Sequence, residues 1–160
     1  MSQPRTIGEL RASGYELHTI KQEMRRNLVA KIKAGEELFP GVVGYDSTVI
    51  PQVENAILSG QDIVLLGERC QAKTRIARSL VNLLDETVPA ISGCEINDNP
   101  FAPVCAACLQ RVAELGDEVP ITWLTRESRY GEKLATPDIT IADLIGEIDP
   151  IHLPRPCAVA

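Results

Sequence analysis

The stretch from Asp62 to Leu84 constrains the fold more than any other part of this 160-residue chain. It opens with the uninterrupted apolar run DIVLL at residues 62–66, which is typical of a strand covered on both faces of a sheet. Gly67 then begins a short polar loop, and apolar residues return at helical spacing from Lys73. The order of strand, tight loop and helix predicts one unit of a parallel α/β sheet.

The loop of this unit has the spacing of a phosphate-binding loop. Gly67, Lys73 and Thr74 stand at the first Gly, the Lys and the Thr of the motif G-x-x-x-x-G-K-[ST]. In that motif the backbone N–H groups surround the phosphates, the Lys reaches the β- and γ-phosphates, and the hydroxyl binds Mg²⁺. The spacing therefore predicts a nucleotide site.

Two residues of this loop depart from the motif. Ala72 replaces its second Gly, and Cys70 stands where many such loops carry a further Gly. A side chain at positive φ costs about 1 kcal/mol or more, but alanine costs little at helical dihedral angles. We expect the phosphate loop to work if Ala72 lies in the first turn of the helix. The alternative interpretation is a capped turn before an amphipathic helix.

The rest of the chain alternates further helices and strands. The pattern predicts a helical stretch over residues 5–34 that ends at Gly35, and a helix near residues 48–58. It also predicts strands at TVPAIS, residues 87–92, and ITWLT, residues 121–125, with a helix at VCAACLQRVAEL between them, and a short helix at TIADLIGEI with Thr140 and Asp143 as a capping box. The predicted fold class is α/β.

Composition excludes several classes of partner. The net charge of −6 and the pI near 5.0 repel a polyphosphate backbone, so we expect no nucleic acid partner. No stretch approaches the roughly 18 apolar residues of a membrane span, and the N-terminus has no apolar signal-peptide core. The sequence predicts a cytoplasmic protein without a membrane partner.

Three of the five cysteines lie close together in the sequence: Cys94, Cys105 and Cys108. An odd number of cysteines without a secretion signal argues against a disulfide framework. A Zn²⁺ site needs four ligands, usually Cys or His, and Cys70 or His152 is a conceivable fourth. Two alternatives stay open: thiols at positions i and i+3 of a helix are often core packing, and C-x-x-C at a helix start is compatible with a thioredoxin-like role.

The segments ELFPGVVGYDSTVIPQVENAILSG, IVLLGERCQAKTR, GCEINDNPFAP and LATPDITIADLIGEIDP follow one another in the chain. In this order the chain resembles the AAA+ ATPases of the magnesium chelatase ATPase subunit and MoxR type, over about residues 38–150. The AKT of this loop is familiar from MoxR-type loops, whereas Cys70 replaces the Gly that relatives usually carry.

The resemblance implies a P-loop NTPase (AAA+) parallel sheet with flanking helices, here incomplete. It implies an N-terminal helical segment at residues 1–37, the N-terminal part of the ATPase domain at 38–150, and a Pro-rich tail at 151–160 outside the family pattern. The implied ATP contacts are Gly67, Glu68, Arg69, Cys70, Gln71, Ala72, Lys73 and Thr74, with Thr74 on Mg²⁺ and with Val43, Gly44 and Tyr45 lining the adenine pocket.

The resemblance also implies a homo-oligomeric ring that couples Mg-ATP hydrolysis to remodelling of a partner protein, often one with a von Willebrand A domain. Hydrolysis needs an apolar strand ending in acidic residues. The one candidate, Asp85 and Glu86, continues the helix that begins at Lys73, and we identify no Walker B strand, sensor or arginine finger. The alternative function is a truncated α/β binding module with a Cys-bound metal and no ATPase activity.

Overall fold

A computed structural model describes residues 3–68, 70–134 and 136–146. The chain divides into two compact units, Met1–Tyr130 and Gly131–Ala160. The described helices and strands are α1 (Ile7–Ala12), α2 (Ile20–Ala34), α3 (Val49–Ser59), α4 (Lys73–Ser79), β1 (Thr87–Ile91), α5 (Ala106–Leu115), β2 (Ile121–Thr125) and, in the second unit, α6 (Ile141–Ile145). The α/β class is confirmed, and none of the described helices is long and apolar enough to cross a membrane. The predicted tail at 151–160 lies outside the described residues.

The predicted N-terminal helical stretch is two helices rather than one. The chain leaves α1 through Gly14, whose φ of 72° is in the left-handed region, and starts α2 at a capping box formed by Thr19 and Gln22. Gly35 ends α2 in the left-handed conformation, so the predicted stop is confirmed. The prediction of one continuous helix is wrong, because Thr19 caps the first N–H groups of α2.

The two described strands form an antiparallel sheet. β1 and β2 lie where the sequence predicts strands, and their register pairs Thr87 with Thr125 and Ile91 with Ile121. The prediction of parallel strands is wrong for this pair, because the chain that leaves β1 at Ile91 enters β2 at Ile121, at the same end of the sheet. Antiparallel pairing follows from that return.

The prediction of a strand at residues 62–66 is also wrong for the described structure. Ile63 and Leu65 pack against a hydrophobic core, whereas Val64 and Leu66 are 79% and 88% exposed. The side chains alternate as in a strand, but no strand of the described residues pairs with this backbone. We call residues 62–66 the unpaired segment.

The first unit has two hydrophobic cores. The first core lies among α2, α3 and α4 and consists of Leu28, Phe39, Val42, Val53, Ile57, Ile76 and Leu83. The second core lies between α1, α5 and the sheet and consists of Ile7, Leu10, Ile91, Cys108, Val119 and Ile121. Backbone hydrogen bonds from Ile121 to Arg5 and from Ile7 to Val119 place α1 on the second core.

Four charged side chains, which we call the ion-pair network, lie between elements of the two cores: Glu23, Arg26, Asp85 and Arg129. Glu23 of α2 is 2% exposed and accepts two hydrogen bonds from the Arg129 guanidinium, at 2.7 and 2.6 Å. The backbone N–H of Asp85 also donates to Glu23. Burial raises the pKa of Asp85, but hydrogen bonds from Arg26 and Asn27 outweigh it and hold that pKa below its ordinary value. Every charge in the network is therefore paired.

Candidate functional site

The predicted phosphate loop lies between the unpaired segment and α4. The Lys73 ammonium donates to the carbonyl oxygen of Gly67 at 2.9 Å and to that of Glu68. The Gln71 side-chain oxygen accepts the backbone N–H of Glu68 at 2.9 Å. A Cβ at Gly67 would overlap this oxygen, which explains why the loop begins with glycine. The predicted contact Arg69 lies outside the described residues.

The conformation of this loop explains the glycines of the motif. Cys70 has φ 65° and Ala72 has φ 55°, so both non-glycine residues adopt left-handed dihedral angles. The condition set for a working loop, Ala72 in the first turn of the helix, is not met, because α4 begins at Lys73 and Ala72 is the residue before it. Both departures from the motif therefore place a side chain where glycine is the unstrained residue.

Replacing Cys70 by glycine is expected to stabilise the chain by about 0.5–1 kcal/mol, because the left-handed strain disappears while glycine loses more backbone entropy. For a chain of this size the midpoint of thermal unfolding should rise by about 1–4 °C. Cys70→Ala is the matched control, since it removes the thiol but keeps the Cβ, and it should give no gain. An equal gain from both variants would show that the thiol, and not the dihedral angle, is unfavourable.

The predicted adenine segment, residues 43–45, is packed only in part. Tyr45 packs against the first core, to which Ile76 of α4 also belongs. Val43, in contrast, is 86% exposed, and the space around Gly44 is open. Of the three predicted adenine contacts, only Tyr45 therefore lies against the core that α4 shares.

Gly41 and the side chain of Arg75 approach each other closely. Gly41 has φ 72°, and a Cβ there would lie 2.8 Å from Nη2 of Arg75. The guanidinium of Arg75, one residue beyond Thr74, thus lies against the chain just before Val43. A larger residue at position 41 would be strained at this φ, whereas the flexible end of the Arg75 side chain could move aside.

A second candidate site is the cysteine cluster, which consists of Cys94, Asp98, Cys105 and Cys108. One ligand atom from each of these residues lies within 4.8 Å of every other. The three predicted cysteines come together, and the cluster could hold a metal ion. Cys70, offered as a fourth ligand by the sequence, is exposed and is not part of the cluster, and His152 lies outside the described residues.

The backbone around the cluster donates to sulfur. Cys105 precedes α5, and its Sγ accepts the backbone N–H of Cys108 at 3.3 Å. The backbone N–H of Asp98 donates to the sulfur of Cys94 and lowers the pKa of that thiol, with a further contribution from the N–H of Ile96. Burial instead raises the pKa of Cys108 to about 12. Cys94 is thus the thiol that the backbone prepares for the charged form.

Asp98 was not predicted from the sequence. Its carboxylate is 5% exposed and accepts backbone N–H groups from Asn99, Val104 and Cys105 at 3.0, 2.8 and 2.9 Å. The hydrogen bond from the N–H of Cys105 makes the largest contribution to holding the pKa of Asp98 below its ordinary value. Its signal in the sequence was an acidic residue within the loop that the cysteines flank.

Comparison with known proteins identifies no relative. No protein-family model matches the chain, no curated protein matches it, and no solved structure resembles its fold closely enough to match. The residues of the phosphate loop and of the cysteine cluster are therefore the evidence for function.

Proposed function

We propose that this chain is the ATP-binding, N-terminal portion of an AAA+ ATPase of the magnesium chelatase and MoxR type. The observation that carries the proposal is the loop at residues 67–74, in which Lys73 folds its ammonium back onto the loop carbonyls of Gly67 and Glu68. This contact supports the proposal, because the lysine of a P-loop reaches the β- and γ-phosphates from the same loop. Tyr45 of the adenine segment packs on the core that also contains Ile76 of α4, which supports the same assignment.

Phosphate binding would exchange the partners of Lys73. The loop lies over an open cavity of about 580 Å³, lined by residues 70–75. The β- and γ-phosphates would take the ammonium from the carbonyl oxygens, and Thr74 would supply a hydroxyl ligand to Mg²⁺. The side chain of Gln71 would have to leave the N–H of Glu68, because that N–H is one of the donors the phosphates need.

The proposal also gives the unpaired segment a role: in the family domain as a whole it would be the first strand of a parallel P-loop sheet, whereas within the described residues it has no partner strand. Its alternating side chains and its position before Gly67 fit such a strand. In the family, strands of the same sheet carry the acidic residues of hydrolysis, which we do not identify in this sequence. We therefore propose nucleotide binding for this chain, and hydrolysis, ring assembly and remodelling of a partner protein only for the family domain as a whole.

Lys73→Ala is expected to weaken Mg-ATP binding at least about tenfold, equal to about 1.4 kcal/mol, because the phosphates lose their cation. Calorimetric titration of the reduced chain measures the affinity, with circular dichroism to verify the fold. The matched control is Lys33→Ala, an exposed lysine of α2 with the same change of charge. The proposal fails if the folded wild-type chain binds no Mg-ATP, or if the two variants weaken binding equally.

A second candidate function is a binding module that holds Zn²⁺ through cysteine and has no ATPase activity. The observation that favours it is the cysteine cluster, whose four ligand atoms all lie within 4.8 Å of one another. Zinc content per chain tests this function, and Mg-ATP titration of the same sample tests the first. The two functions are compatible in one molecule, because the phosphate loop packs on the first core and the cysteine cluster on the second.

A further inference from the structure

The spacing of two sulfur atoms in the cysteine cluster matches a zinc site. Cys94 Sγ and Cys105 Sγ are 3.8 Å apart. In a tetrahedral site with Zn–S bonds of about 2.3 Å, two sulfur ligands lie about 3.8 Å apart. A pair in a disulfide would be about 2.05 Å apart. The observed distance fits both two ligands of one ion and a hydrogen bond between two thiols, so the inference depends on the whole four-residue cluster.

We propose that Cys94, Asp98, Cys105 and Cys108 are the four ligands of a structural Zn²⁺ ion that fastens the turn after β1 to the start of α5. The inference depends on the second candidate function, metal binding, and adds to it the ligand set and the role of the ion. It is independent of nucleotide binding.

Asp98 is the fourth ligand for a geometric reason. One of its oxygens, Oδ2, accepts the N–H groups of Val104 and Cys105, whereas Oδ1 accepts only that of Asn99. A carboxylate oxygen has two lone pairs in its plane, so Oδ1 keeps one for a metal. The three N–H groups also fix the carboxylate in place, as the partners of metal ligands commonly do.

The two ends of the site belong to different parts of the fold. Cys94 follows β1, while Cys105 and Cys108 lie at the N-terminal end of α5. Arg111 of α5 already donates to the carbonyl oxygen of Ser92 at 2.9 Å, which is a second link between the same two segments. An ion bound here would hold the loop of residues 92–105 closed at its ends.

The site is accessible to an incoming ion. A cavity of about 350 Å³ opens onto it and is lined by Gly93, Cys94, Glu95, Cys105, Cys108 and Arg111. On binding, each thiol gives its proton to the buffer, and no electrons are transferred. The N–H groups that donate to Cys94 and Cys105 would then donate to thiolate sulfur, which accepts more strongly than a thiol.

The test is anaerobic titration of the reduced, chelator-treated full chain with Co²⁺, which replaces Zn²⁺ and absorbs visible and near-ultraviolet light in tetrahedral thiolate sites. We expect one Co²⁺ per chain, displaced by Zn²⁺, and a higher thermal unfolding midpoint with Zn²⁺ than without it. Cys94→Ser should weaken Co²⁺ binding at least about tenfold, by loss of one ligand bond. The matched control Cys70→Ser, a cysteine outside the cluster, should bind as the wild type does.

Asp98→Cys tests the fourth ligand. If Asp98 faces the ion, the variant should bind Co²⁺ through four thiolates, and its sulfur-to-cobalt absorption per ion should rise by about one third. Unchanged absorption would overturn the assignment of Asp98 and leave metal binding intact.

Two results would overturn the whole site. The first is a folded, reduced wild-type chain that binds no Co²⁺, and the second is undiminished binding by Cys94→Ser. A disulfide between Cys94 and Cys105 that resists reductant, found by peptide mass, would count against the site in the same way. None of these results bears on Mg-ATP binding, so Mg-ATP titration detects failure of the first candidate function separately.

Discussion

Replacing Glu23 by alanine is expected to lower the free energy of unfolding by about 3–5 kcal/mol. The substitution leaves the Arg129 guanidinium, whose side chain is 14% exposed, without the carboxylate that it contacts through two hydrogen bonds. A buried charge without a partner costs several kcal/mol, far more than the pair contributes as a whole. The backbone N–H of Asp85 loses its acceptor in the same variant.

Denaturant unfolding, followed by circular dichroism, measures this loss. The matched control is Arg11→Ala, which breaks the ion pair with Asp117. The side chains of Arg11 and Asp117 are 66% and 56% exposed. That pair should contribute only about 0–1 kcal/mol. In the double variant Glu23→Ala, Arg129→Ala both charges are gone, so its loss should be smaller than the sum of the two single losses. Additive losses, or a loss no larger than that of the control, would contradict a buried pair.

The second large effect is expected at Asp98. In the metal-free chain, Asp98→Ala should lower the free energy of unfolding by about 3 kcal/mol, because a carboxylate that accepts three backbone N–H groups is lost. The amides of Asn99, Val104 and Cys105 then lack their acceptor, and the loop before α5 loses its fixed shape. The effect does not depend on any ion.

The measurement is thermal and denaturant unfolding with a chelator present throughout. Asp62→Ala is the matched control, because the Asp62 side chain is 93% exposed and contacts only Lys21 among its described ion pairs. Its effect should be far smaller than that of Asp98→Ala, because an exposed carboxylate is well solvated in both states. If Asp98→Ala behaved like the control, the carboxylate would not organise the loop, and its place in the cysteine cluster would lose its support.

The parts of the fold that could be predicted are those that depend on neighbours in the sequence. The stop of α2 at Gly35, the capping box at Thr140 and the strand at residues 121–125 were all predicted and are present. Each is specified within about one turn or one strand of chain, by a glycine, a hydroxyl or an alternation of side chains. Local chemistry is sufficient for them.

The pairing of distant segments could not be predicted in the same way. The residues of DIVLL have strand propensity, but a strand also needs a partner, and no residue near it in sequence supplies one. The contact of Glu23 with Arg129 joins positions that are 106 residues apart in the sequence. Long-range partners leave no periodic signal.

The same division holds for the candidate site. The cysteines were predicted from their spacing, and the strain at Cys70 from the glycine that the motif carries there. Asp98 was missed because only the turn at residues 94–98 brings its carboxylate to the sulfur atoms. Whether Ala72 lies inside the helix could not be decided from the sequence, because the exact start of a helix depends on dihedral angles that alanine does not indicate.

The ion-pair network has a consequence for how the two cores unfold. Glu23 lies in a helix of the first core, and Arg129 follows the strand that closes the second core. Separation of the cores would leave each charge without its partner, so we expect both cores to unfold in a single cooperative transition.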